Sequence, residues 1–168
     1  QGTIEWIAGS PNQVEDPLWS PDGRGILYQE LQYKPAELPA LRVNPISLRW
    51  VALDDGREFG FADSAIPQAW NIFIDWLTDD RFVMVSVPPG GQGDAHLSIA
   101  DLAANRSSRV AARLASAVVL RHDGTSALLV KTWLSDGGTE FTLIDGFTGE
   151  ALSVDFITAD PFPSLYAV

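Results

Sequence analysis

One short pattern recurs three times along the 168 residues and limits the fold more than any other feature. Trp19-Ser20-Pro21-Asp22-Gly23 leads into the apolar run Ile26-Leu27-Tyr28. Trp76-Leu77-Thr78-Asp79-Asp80 leads into Phe82-Val83-Met84-Val85, and Leu120-Arg121-His122-Asp123-Gly124 leads into Ala127-Leu128-Leu129. In each copy a large apolar residue is followed three places later by Asp22, Asp79 or Asp123, then by a turn and a strand-length apolar run. A second element follows each first one, beginning at Leu48, Leu97 and Phe141 and closing in a tight turn at Gly56, Asn105 and Gly149. Gly and Asn are the residues that take the left-handed backbone such turns need.

Helix signals are nearly missing. Residues 100–119 carry Ala and Arg, but their apolar spacing is irregular and Asn105-Arg106-Ser107-Ser108 reads as a turn. Elsewhere short runs rich in Val, Ile, Phe and Trp are bounded by Pro-Asp-Gly, Asp-Asp-Gly, Asp-Gly and Thr-Gly, which is hairpin chemistry. Phe82-Val83-Met84-Val85 and Ala127-Leu128-Leu129-Val130 do not alternate, as expected of strands sandwiched between two other sheets. The class is therefore all-β with stacked sheets. The repeat spacings are 57 residues (Asp22 to Asp79) and 44 (Asp79 to Asp123), and the longer holds a Pro- and Leu-rich insertion at 31–44. A period of ~40–45 residues with four short strands per unit is that of a β-propeller blade. The expected organisation is one propeller-like domain of about three four-stranded antiparallel blades, at 16–62, 70–112 and 115–157, with end strands at 3–8 and 164–168. The insertion is expected to project from its blade, since Pro35, Pro39 and Pro45 cannot serve a central ladder.

Asp16-Pro17-Leu18-Trp19-Ser20-Pro21-Asp22-Gly23 resembles the WD40-like repeat of TolB-type propellers, which also occurs in propeller domains of prolyl oligopeptidase family proteins. The second copy departs from the family pattern at Thr78 and Asp80, and the third keeps only Asp123-Gly124. The resemblance implies a fold and no catalytic residue, because the motif shapes a turn between strands. Three blades are fewer than the four to eight that close a ring. A piece of a larger propeller, half of an oligomeric ring and an open curved stack all fit.

Composition narrows the chemistry. The absence of cysteine excludes disulfides, thiolate metal sites and cysteine nucleophiles, and two histidines, His96 and His122, exclude a multi-histidine centre. A net charge of −11 argues against nucleic acid, which needs a basic stripe. No apolar run reaches the ~20 residues of a membrane span. Residue 1 is Gln, as in a processed or trimmed chain, and an extracytoplasmic (periplasmic or cell-surface) location is expected; a cysteine-free chain also suits the cytosol.

No Gly-x-Ser-x-Gly is present, and His122 reads as a turn residue and His96 as exposed. Asp54, Asp55, Asp75, Asp79 and Asp80 could supply paired carboxylates; Asp79 has a turn role by analogy with Asp22, and Asp75 is the least explained. No calcium loop or phosphate-binding glycine motif occurs, so neither metal nor cofactor is expected. Trp19, Trp50 and Trp76 occupy repeat positions and are expected in the core. Tyr33, Trp70 and Trp133 have no repeat explanation and are the candidate partner-binding residues. The expectation is a non-catalytic binding or scaffolding module for a protein or peptide that also self-associates as a homodimer. The alternatives are a propeller fragment gating an enzyme domain outside this chain, and a carboxylate-based carbohydrate-active enzyme.

Overall fold

A computed structural model of the protein describes residues 13–31, 46–66, 68–91 and 93–158. The expected end strands at 3–8 and 164–168, the insertion beyond Leu31 and the candidate Tyr33 lie outside these residues. Among the described residues twelve strands follow one another in chain order and form three antiparallel meanders of four. The first blade comprises β1 (Gln13–Trp19), β2 (Gly25–Leu31), β3 (Ile46–Ala52) and β4 (Glu58–Phe61). The second comprises β5 (Trp70–Trp76), β6 (Arg81–Val87), β7 (His96–Asp101) and β8 (Arg106–Ala111). The third comprises β9 (Leu114–His122), β10 (Thr125–Trp133), β11 (Thr139–Asp145) and β12 (Ala151–Thr158). One parallel bridge, Ile46 to Trp70, joins the first two blades into a formally continuous sheet. Among the described residues there is no α-helix; residues 100–119, the one helix-like stretch, lie in β7, β8, β9 and their turns.

Turn chemistry fixes these hairpins. Asp123 and Gly124 both have positive φ (47° and 76°) between the paired residues His122 and Thr125, which is the two-residue hairpin turn whose twist matches that of the strands. Gly56, Asn105 and Gly149 also take positive φ (69°, 46° and 75°), as their places at the ends of the second elements predict. The first strand of each blade carries a register shift, at Glu15/Leu18, at Phe73/Asp75 and opposite Lys131/Thr132. Such bulges bend a strand and raise its twist.

The blades stack face to face through two apolar seams. Between blades one and two, Leu27, Leu48, Trp50 and Phe61 meet Trp76, Phe82, Met84 and Ala100. Aromatic edges dominate this seam: Trp50 and Trp76 are 6.0 Å apart at 72°, and Phe61 and Phe82 are 5.2 Å apart at 87°. Between blades two and three the contacts are aliphatic, with Val83, Val85, Leu97 and Ile99 against Leu128, Val130 and Ile144. Strand β6 feeds both seams, Phe82 and Met84 one way and Val83 and Val85 the other, so its residues 82–86 are buried without a break. The non-alternating sequence of β6 thus has its cause. Strand β10 differs from the expectation: Leu128 and Val130 are buried, but Leu129 is only half-buried, because a blade covers just one of its faces among the described residues.

Trp19 corrects another expectation. It is 61% exposed, whereas Trp50 and Trp76 are buried. Trp19 pairs with Ile26 as Trp76 pairs with Phe82, so the two are structural counterparts. The Trp76 side faces blade one; no described blade lies on the Trp19 side.

Candidate functional site

Three turns that open the blades' second strands (20–24, 77–80 and 123–124) share one rim with the turns closing their third strands (53–57, 102–105 and 146–150). Two clefts open on this rim, one on each side of the 77–80 turn, and both are lined by Thr78 and Asp79. The cleft between blades two and three has a volume of about 620 Å³ and is bounded by Trp76, Leu77, Arg121, His122, Asp145 and Phe147, among others. Its neighbour, about 500 Å³, is bounded by Trp50, Phe59, Asp54, Arg57 and Asp80.

A one-residue difference in the third repeat opens the larger cleft. Ser126, the second residue of β10, pairs with Arg121 in the position where Phe82 stands opposite Trp76. The counterpart of Trp76 is therefore Arg121, not Leu120 as the sequence repeat suggests. Leu120 pairs with Ala127 and is 44% exposed. Where an indole fills the first seam, a guanidinium reaches across the second. Arg121 donates to Asp75 Oδ1 (2.7 Å) and to the Trp76 carbonyl (2.8 Å), while Ser126 Oγ donates to the Leu77 carbonyl (2.5 Å). Arg121 and the Trp76 amide hold the Asp75 carboxyl below the ordinary aspartate value. Asp75, unexplained by sequence, is the inter-blade partner of that arginine.

The remaining rim charges are mostly neutralised in place. Asp22 accepts from the Ser20 hydroxyl (2.6 Å) and pairs with Arg24, and Asp55 pairs with Arg57. The Ser20 hydroxyl, with the Arg24 amide and side chain, holds Asp22 below its ordinary pKa; the Arg57 amide does so first for Asp55, and the Thr148 amide for Asp145. In the second blade Asp80, not Asp79, does the work of Asp22 by accepting the Thr78 hydroxyl (2.7 Å). Asp79 is exposed and has no partner among the described residues.

His96 is also corrected. It is not an exposed residue: its side chain is 14% accessible, and Nδ1 lies 2.6 Å from Asp63 Oδ2. Burial pushes Asp63 up, but the Ala65 amide, His96 and Arg109 together outweigh it and hold the carboxyl below its ordinary value. Asn71 Nδ2 bonds the Ile46 carbonyl (2.9 Å), and the Ser86 hydroxyl donates to Asn71 Oδ1 (2.7 Å). The Asp–His pair ties Asp63 to β7, and Ser86, fully buried with its proton committed to Asn71, is no reachable nucleophile for it. Residues 62–69 fall between repeats, and no spacing rule could have announced the Asp63 contact. His122, expected in a turn, is the last residue of β9, paired with Thr125 beside the two-residue turn, with Nε2 3.2 Å from Asp123. Among the described residues no three His, Asp or Glu side chains converge on a metal-sized gap.

The candidate aromatics lie away from this rim. Trp70, at the start of β5, is half-buried and its Nε1 has no acceptor among the described residues; Trp133, at the end of β10, is 40% exposed with Lys131 Nζ 5.9 Å from its ring centre. Neither lines either cleft.

Four-stranded antiparallel blades stacked through their faces define a β-propeller fold. The solved β-propeller domain of the Trilobed protease from Pyrococcus furiosus, described as having an open velcro topology, is similar over 88% of this chain with a TM-score of 0.54 and 12% identity. The chain spans 43% of that chain, and at such identity the likeness speaks for the fold alone. No family model matches the sequence, and no curated protein matches it.

Proposed function

We propose that the chain is a non-catalytic binding module that takes a protein or peptide segment across the rim, with the 77–80 turn at its centre. The observation that carries this reading is the pair of clefts sharing one lip: an extended segment can lie along both, while the seams beneath hold their walls rigid. The strands supply the frame, and the turns supply exposed side chains, such as Phe147 at 76% exposure. Within this reading the Trp19-Ser20-Pro21-Asp22-Gly23 turn is a TolB-type folding motif, because its hydrogen bonds close the turn itself (Ser20 N to the Gly25 carbonyl, 3.0 Å). Trp133 stays a candidate contact on the opposite rim.

Panning a phage-displayed peptide library on the purified chain tests the proposal. Enriched peptides should lose binding to a Phe147→Ala or Thr78→Arg variant and keep it with Trp133→Ala. Binding insensitive to both rim changes, or no enrichment over bare support, overturns it.

One observation favours a second reading: the similar solved structure is the propeller domain of a protease. Under that reading the rim faces a catalytic domain outside this chain. A hydrolase domain in the same open reading frame would support it.

A further inference from the structure

We infer that the ligand of this rim is basic, with an arginine or lysine side chain seated on Asp79 between the two clefts. The inference rests on the rim reading above and names the chemistry of its partner.

Every arginine lining the clefts has its own carboxylate: Arg24 has Asp22, Arg57 has Asp55, and Arg121 has Asp75. His122 lies against Asp123. What remains is anionic. Asp79 has no cation or donor among the described residues, and Asp80 beside it accepts only the neutral Thr78 hydroxyl. Asp79 is also one of the two residues that line both clefts, so a group bound to it has open space on either side.

The walls suit a cation on an apolar stem. Trp50 and Phe59 border the first cleft, Trp76 and Phe147 the second. Guanidinium groups already lie near two of these rings within the chain, Arg57 5.8 Å from Phe59 and Arg81 5.9 Å from Phe147. Those two show that the rim's rings accept guanidinium groups beside them; a guanidinium carried by a partner would find further aromatic surface along the clefts and, in Asp79, a carboxylate able to accept two of its hydrogen bonds. An anionic ligand would meet Asp79 and Asp80 with no unpaired arginine to receive it. The overall charge of −11 draws a basic partner from a distance, and Asp79 gives it a place to stop.

The probes are acetyl-arginine amide, acetyl-lysine amide, acetyl-glutamine amide and acetyl-glutamate amide, each titrated into the ¹⁵N-labelled chain while backbone amide shifts are followed. The arginine and lysine probes should shift the amides of 77–81 and 123–125 saturably, and the glutamine and glutamate probes should not. Asp79→Asn should weaken the arginine probe by about tenfold, the scale of a charge-assisted hydrogen bond, with the rest of the spectrum unchanged because the side chain is exposed. Equal shifts from the glutamine probe, stronger shifts from the glutamate probe, or an unchanged affinity in Asp79→Asn overturn the inference. The two readings fail separately. Library peptides that bind the rim without basic residues defeat only the choice of ligand; peptides that ignore the rim defeat the rim reading itself.

Discussion

Arg121 and Trp76 hold the same place in successive blades, and the exchange of an indole for a guanidinium decides where the molecule is filled and where it is open. The pair Asp75–Arg121 is charged on both sides, so its contribution depends on pH. An aspartate whose folded pKa lies below its unfolded one stabilises the fold at pH above the unfolded value, and that contribution drains as pH falls through the folded one. Asp63 and Asp75 are both of this kind. Denaturant midpoints should therefore fall between about pH 5 and pH 3 more steeply in the native sequence than in Asp75→Asn. Equal slopes for the two, or a rise in stability on acidification, would contradict the assignment. Gly25 offers a sterically sharper test. A methyl group there would run into the Trp50 ring and come 2.6 Å from the Val51 carbonyl, and backbone cannot step aside. Gly25→Ala should cost about 2 kcal/mol or more in a urea titration, whereas Gly23→Ala, with open space around it, should show only the smaller strain of its positive φ of 71°.

At the scale of elements, burial on two faces separates β6 from β10 although their sequences look alike. Phe82→Ala empties a site enclosed by Phe61, Trp76 and Phe73 and should cost about 3–5 kcal/mol. Leu129→Ala, on the half-buried face of β10, should cost less than about 2 kcal/mol by the same measurement, because less apolar area leaves water at that position than at Phe82. Similar losses at the two positions would mean that a described face has been assigned the wrong neighbour. The elements themselves were legible in the sequence. Gly56, Asn105 and Gly149 each announce a left-handed turn through residue type alone, since few residues tolerate that backbone. In the third repeat Leu120 mimics Trp76 in hydrophobicity, so the sequence pattern lies one residue out of register with the structure. Register follows hydrogen bonding across the hairpin, and a polar Arg121 in an apolar slot leaves no signal in a hydrophobic pattern. The Asp63–His96 contact was hidden for a different reason: 33 residues and a loop without periodicity separate the partners.

For the whole molecule, the stacking order explains both the core and the exposed apolar surface. Val118 (52% exposed), Leu120 (44%) and Leu152 (42%) lie on the face of blade three turned away from blade two, beside the half-buried Leu129 and Leu143. That face has the chemistry of a seam, and apolar surface of this kind drives association. Light scattering over a concentration series should show self-association that Leu120→Lys reduces; a monomer at high micromolar concentration would contradict this. In this stack blade two is enclosed by seams on both sides. Residue-resolved amide hydrogen exchange tests it most directly, since protection reports how much structure must open to expose each amide. The slowest exchange should fall in β6 and β7, with β10 and β11 next and β1 and β9 faster. If amides of β9 and β10 outlast those of β6, blade two is not the enclosed layer.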